Sequence, residues 1–141
     1  MRVVDESVLD LFRGRMKCGI CLRSRDCEPH HSTCKGMGGG RRLDVRFLLL
    51  GVCRECHTKI HAGKITREEV LAMISDRETM PVEDIVLQKD LFLRAPKECG
   101  LCHRCGGRGK YSLLGKVFLA CGVCLGSGII DQNGEPWEPT S

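Results

Sequence analysis

Large aromatic side chains are scarce in this chain, with four Phe, one Tyr and one Trp among 141 residues. So few big apolar groups cannot be the main source of stability in a small fold. There is no run of about 18 apolar residues, which argues against a membrane-spanning helix. The opening MRVVDESVLDLF carries acidic residues where a secretory leader needs a positive segment and an apolar run. These absences predict a cytoplasmic protein with no membrane partner. Asparagine occurs once, at Asn133. What is plentiful is cysteine, at eleven, and glycine, at seventeen. In a reducing compartment, closely spaced cysteine pairs are better read as metal knuckles than as cystines, and a bound metal ties its free energy to folding.

Four C-x2-C pairs are present: 18/21, 53/56, 102/105 and 121/124. Structural zinc takes four ligands in a closed tetrahedron, often thiolates from two such pairs. Cys18, Cys21, Cys53 and Cys56 therefore make one complete site, and Cys102, Cys105, Cys121 and Cys124 a second, for two structural Zn²⁺. The histidines are then left over. His57 and His61 stand four apart, on one face of any helix starting near Cys56, so both imidazoles can reach a single ion. His30 and His31 are adjacent, and neighbours in a strand point to opposite faces, which lets His30 bind an ion while His31 faces a substrate. A further divalent ion is implied, and Mg²⁺, Mn²⁺, Ni²⁺ and Zn²⁺ all stay open. Cys27 and Cys34 flank the His pair without a spaced partner and are read as buried small residues.

The order C-x2-C, His-His, C-x2-C-H-x3-H over residues 18–65 resembles the HNH nucleases, whose ββα-metal fold sets a His-His hairpin against a ligand-bearing helix. By position, the resemblance makes His30 the first metal ligand, His31 the general base, and His57 and His61 the remaining metal-side histidines. It implies a DNA phosphodiesterase leaving a 3′-hydroxyl and a 5′-phosphate. The family's Asn between the two His elements is missing from residues 43–52, where Asp44 is the candidate substitute. The small two-module layout also resembles proteins of phages and mobile elements, which places the expected activity in a prokaryotic or phage-infected cell.

Charge is uneven along the chain. Nine basic residues and three acidic ones lie between Arg13 and Arg46, an excess suited to a phosphate backbone. Lys35, Arg41, Arg42 and Arg46, with the glycines at 38, 39 and 40, are the candidate DNA contacts; no recognition helix is evident, so backbone contacts with weak specificity are expected.

In chain order, Val8, Leu11 and Phe12 predict a short amphipathic helix over residues 5–16. The apolar run 45–52 predicts a strand covered on both faces, and Thr66-Arg-Glu-Glu69 is a capping box. Residues 80–98 form a connector left unassigned between helix and strand. From Cys99 onward, two copies of C-x2-C-x-G-x-G resemble the zinc repeats of DnaJ-type chaperones, with residues 111–120 expected to cross as a hairpin. Cys99 and His103 are spare, though Cys99 offers an alternative register with Cys102.

The expectation is thus a small, metal-stabilised α+β protein. A ββα-metal (HNH, treble-clef-like) domain with flanking helices spans residues 1–79, a connector 80–98, a zinc-ribbon-like β-hairpin module 99–130, and a disordered tail 131–141. Three functions are weighed. The first is a metal-dependent HNH endonuclease acting on DNA. The second is a non-catalytic, zinc-dependent nucleic-acid-binding or regulatory protein, and the third is a binder of unfolded polypeptide. A protein partner or self-association is open at residues 80–98 or at the C-terminal module.

Overall fold

The computed structural model describes residues 1–32, 42–113 and 117–140. It is a small α+β structure that divides into two compact units, Val4–Ile85 and Val86–Ser141 with Met1–Val3. Among the described residues, no helix is long and apolar enough to cross a membrane.

The first unit begins with helix α1 (Glu6–Asp10), where the Asp5 carboxylate accepts from the amides of Ser7 and Val8. That Asp cap offsets donors that a helix start would otherwise leave unpaired. The helix is shorter than its apolar spacing predicts. Gly14 at φ +89 turns the chain, and residues from there onward become strand β1 (Gly14–Lys17). Pairing along β2 (Ser24–His31) outweighs helix continuation, with Gly14 opposite Cys27 and Lys17 opposite Ser24. β2 is the centre of a three-stranded antiparallel sheet whose other edge is β3 (Leu49–Cys53), entered through a 3₁₀ turn at Arg46–Leu48.

All five residues of β3 are buried, in keeping with an apolar run that shows no alternation. Leu49 clusters with Leu9 and Phe12, and both α2 (Arg54–His61) and α3 (Arg67–Glu78) pack on β3. α3 starts at the capping box, with Thr66 Oγ1 accepting from the Glu69 amide and the Glu69 carboxylate accepting from the Thr66 amide. It buries Val70, Leu71 and Ile74, each contributing about 1.5–3 kcal/mol by removal from water.

The connector is helical: α4 spans Val82–Arg94, and the division between the units falls inside it. Gln88 looks like a polar interruption in sequence, yet it is buried and its side-chain amide donates to the carbonyls of Gly107 at 2.6 Å and Ser127 at 3.0 Å.

The remainder of the second unit is a β-ribbon. Strands β5 (Lys110–Leu113) and β6 (Val117–Ala120) pair antiparallel, as do the short β4 (Gly100–Leu101) and β7 (Ile129–Ile130). The two Cys-Gly repeats interlock reciprocally. The Cys102 amide donates to the Gly128 carbonyl at 2.9 Å, and the Cys121 amide to the Gly109 carbonyl at 2.8 Å. A Cβ at Gly109 would stand 2.2 Å from the Gly126 carbonyl oxygen, so only glycine permits this approach. The expected disordered tail instead turns back. Asp131 Oδ1 accepts from the amides of Asn133 and Glu135, and the Trp137 amide donates to the Ile129 carbonyl. An Asx turn holds this segment where composition alone suggested disorder.

Candidate metal centres and the histidine cleft

Among the described residues, three groups of side chains gather ligand atoms within 4.8 Å of one another: Cys18, Cys21, Cys53 and Cys56; Cys102, Cys105, Cys121 and Cys124; and His30, His57 and His61. In the first, the Cys18–Cys21 knuckle is the turn between β1 and β2, while Cys53 ends β3 and Cys56 lies in the first turn of α2. The amides of Ile20 and Cys53 point at Cys18 Sγ, both at 3.4 Å. Gly19 lets the knuckle lie against the sheet, since a Cβ there would come 2.5 Å from Leu50 Cδ1.

Sulfur spacing indicates what these clusters fit. Cys21 and Cys53 Sγ are 3.9 Å apart, Cys102 and Cys121 3.8 Å, and Cys105 and Cys124 3.7 Å. Tetrahedral zinc with bonds of about 2.3 Å separates its sulfurs by about 3.8 Å, whereas a disulfide is about 2.05 Å. Every described cysteine is a free thiol or thiolate.

Protonation points the same way. Burial works against ionisation of Cys18, but the amides of Cys53, Cys21 and Ile20 outweigh it and bring the thiol down to about 6. Burial, with the neighbouring sulfurs of Cys53 and Cys18 adding to it, pushes Cys56 up to about 12. Burial likewise drives Cys105 up to about 12 against the Gly109 amide, which stabilises the thiolate. Four thiolates this close need a cation between them, and a divalent ion supplies it. Both clusters are compatible with structural zinc.

The third group is built by the β2–β3 hairpin and α2. His30 lies opposite Leu50 on the sheet, and its ring packs edge-on against those of His57 and His61, with centroids 5.2 and 5.9 Å away. His57 and His61, one helical turn apart, bring their Nε2 atoms within 3.0 Å. Two nitrogens each about 2.1 Å from one ion at a right angle would be separated by about that distance. Glu28, on β2, meets His57 Nδ1 at 2.6 Å, which leaves Nε2 for an ion. Burial, then the neighbouring imidazoles, lower His30 to about 4, so it is neutral, the form that ligates.

His31 stands apart from this ligand set. Its Nε2 lies 2.8 Å from Asp44 Oδ1, and the Asp44 side chain has no exposed surface. Asp44 Oδ2 also accepts from the Asp5 amide at 2.9 Å, and Arg42 bridges both carboxylate oxygens. Burial opposes ionisation of Asp44, but Arg42, His31 and the Asp5 amide together hold it below the usual carboxylate range. An ionised Asp44 can only accept a hydrogen bond, so in this pair His31 Nε2–H is the donor.

His30, His31 and His61 line a cleft of about 210 Å³ together with Ile60, Ile65 and Arg67. Arg67 and Glu28 escaped the sequence reading. The capping box at Thr66 marks the helix start that carries Arg67, but nothing local joins it to the histidines; Glu28 is signalled only by its place two residues before His30.

Of the candidate DNA contacts, Lys35 and Arg41 lie outside the described residues, as does Cys34. Arg42 is engaged by Asp44 and by Glu6 Oε1 at 2.9 Å, and Arg46 Nε donates to Glu78 Oε1 at 2.8 Å. Those guanidiniums thus have internal carboxylate partners that the sequence reading did not assign. Cys27 is buried, and burial raises its thiol to about 11. No protein family, curated protein or solved structure matches this chain.

Proposed function

We propose that the Val4–Ile85 unit is a metal-dependent endonuclease of the HNH type, hydrolysing DNA phosphodiester bonds with His31 as general base. One observation carries the reading: a three-imidazole ligand cluster stands beside a fourth histidine whose far nitrogen is held by a buried carboxylate. Structural zinc would account for the eight clustered cysteines but not for the gathering of His30, His31, His57 and His61 at one cleft edge. The strand–strand–helix order of β2, β3 and α2 supports a ββα-metal arrangement.

The proposed steps rest on the side chains. His31 Nδ1 accepts a proton from a water molecule as that water attacks phosphorus, which a neutral imidazole does efficiently near neutral pH. Asp44 fixes the tautomer that exposes Nδ1 and offsets the positive charge formed on the ring. His30, His57 and His61 would hold the divalent ion, with Glu28 orienting His57. When bound, that ion offsets charge on the phosphate and on the departing oxygen. Arg67, which also lines the cleft, would contact a phosphate oxygen. Asp44 stands where the resemblance calls for an Asn.

The reading is tested with supercoiled plasmid. Protein carrying two zinc ions per chain is supplied with Mg²⁺, Mn²⁺, Ni²⁺ or Zn²⁺, beside a His31→Ala variant of equal zinc content. Nicking by the wild type that depends on added metal, and falls about 10²–10⁴-fold in the variant, is expected. DNA binding without cutting under every metal would replace this reading with a non-catalytic nucleic-acid-binding protein.

A further inference from the structure

We propose that Arg42 is a positioning residue for the base: it balances the charge of buried Asp44 and thereby keeps the imidazole proton of His31 on Nε2. This rests on the nuclease reading and deepens it, by naming the group that decides which nitrogen of His31 is left to take a proton.

The Asp44 side chain has no exposed surface, and each of its oxygens meets two donors. Oδ1 lies 2.8 Å from His31 Nε2 and 2.9 Å from Arg42 Nε. Oδ2 lies 2.9 Å from the Asp5 amide and 2.7 Å from Arg42 Nη2. A buried carboxylate keeps its charge only where an opposite charge and hydrogen bonds replace its lost hydration. Among the described residues that hydrogen-bond to Asp44, only Arg42 carries a fixed positive charge. Asp5 contributes a neutral amide, and its carboxylate serves the amides of Ser7 and Val8 instead. Burial works against the charge on Asp44, and Arg42 is the strongest of the groups opposing burial, ahead of His31 and the Asp5 amide.

The state of Asp44 governs the ring it touches. As an anion it can only accept, so Nε2 carries the hydrogen and, in a neutral ring, Nδ1 keeps its lone pair. A neutral Asp44 would hold a hydrogen of its own. Donated from Oδ1 to Nε2, it would put the ring proton on Nδ1 and occupy the nitrogen that the proposed mechanism needs empty. Arg42 thus acts on His31 through Asp44. Its fork grips both carboxylate oxygens, and Nη2 also donates to Glu6 Oε1 at 2.9 Å. The Asp44 end is buried and the Glu6 end exposed, so the first link carries the effect and the second adds little. A positioning residue changes the rate of the chemical step, whereas a phosphate contact changes binding and its salt dependence.

The test uses full-length, zinc-loaded protein and begins with nitrogen-15 NMR of the His31 ring, which reports the tautomer without any cleavage. The neutral wild-type ring should carry its proton on Nε2, and Arg42→Gln should shift that proton toward Nδ1. Arg42→Lys keeps the charge and should keep the wild-type tautomer, and it decides the matter if Arg42→Gln does not fold. Nicking at saturating plasmid should fall about 10–100-fold in Arg42→Gln, with KM and its salt dependence unchanged. In an Asp44→Asn background the same substitution should change nicking about twofold at most, because no carboxylate remains to be kept charged.

A wild-type ring protonated on Nδ1, an unshifted tautomer in Arg42→Gln, or loss of the Nε2 proton in Arg42→Lys would each overturn the proposal. So would an equal loss of nicking in both backgrounds, or a raised KM with a shallower salt dependence at unchanged kcat, which would make Arg42 a DNA contact. Failure here is separable from failure of the nuclease reading. The expected tautomer shift in a protein that never nicks removes only the nuclease reading, whereas nicking by wild type with no tautomer shift in Arg42→Gln removes only the role of Arg42.

Discussion

The two four-cysteine clusters share a ligand set and nearly the same sulfur spacing, yet among the described residues only the first is accompanied by a group of three histidines that could hold an ion. The path of the chain beyond the second C-x2-C pair makes the difference. After Cys53 and Cys56 the chain continues as α2, and a helix carries His57 and His61 along the sheet toward His30. After Cys124 it enters Gly-x-Gly, and the positive φ of Gly126 and Gly128 folds it back on the first repeat. A four-cysteine cluster compatible with zinc thus stands in each unit. Chemistry depends on whether the cluster launches a helix that can display side chains or closes a turn that cannot.

The strongest way to break the comparison is to remove one sulfur from each cluster. Cys53→Ser and Cys121→Ser should each lower zinc from two ions per chain to one, forfeiting about 10–16 kcal/mol of metal-linked folding free energy. Hydrogen exchange should then lose protection in Val4–Ile85 for the first variant and in residues 99–130 for the second. Equal loss throughout the chain in both would mean that the clusters are not separate staples.

Catalysis should divide the units next. Asp44→Asn keeps the shape but supplies an amide that can no longer accept charge, so nicking is expected to fall about 10–100-fold with metal content unchanged. Cleavage equal to wild type would remove Asp44 from any positioning role. Packing offers a matched pair of smaller effects. Gly19→Ala sets a methyl against Leu50 in the first unit, and Gln88→Leu strips the Gly107 and Ser127 carbonyls of a donor in the second. Each should cost about 1–3 kcal/mol in denaturant melts.

An effect of comparable size is a pH dependence of the first unit. His30 falls to about 4 from 6.5, so it contributes stability that is fully present above pH 6.5 and is lost as pH falls through 4. With the three-histidine site stripped of metal, the urea midpoint should decline more between pH 6.5 and 4.5 in wild type than in His30→Gln. Parallel declines would show that His30 is not held neutral by burial.

Much of this was legible in the sequence because it is local. Cys pairs three positions apart, His57 and His61 one helical turn apart, the Thr66 capping box and the adjacent His30 and His31 are all signals within a few residues. Longer-range partnerships were not legible. His31 and Asp44 meet across thirteen positions and Arg46 and Glu78 across thirty-two, so the carboxylates that pair with Arg42 and Arg46 could not be read from charge along the chain. Gln88 misled for a related reason: a polar residue in an apolar stretch reads as a break until its two carbonyl partners are in place. The helix expected over 5–16 ends at Asp10, and from Gly14 strand pairing with β2 takes the residues it would have covered.

The most direct measurement is a metal count by equilibrium dialysis against Ni²⁺ or Mn²⁺ of protein already holding its zinc, for wild type and for His57→Ala with His61→Ala. The account predicts two tightly held zinc ions in both proteins and one additional ion per chain in the wild type alone. An additional ion retained by the double variant, or none in the wild type, would contradict the claim that the three histidines form a metal site of their own.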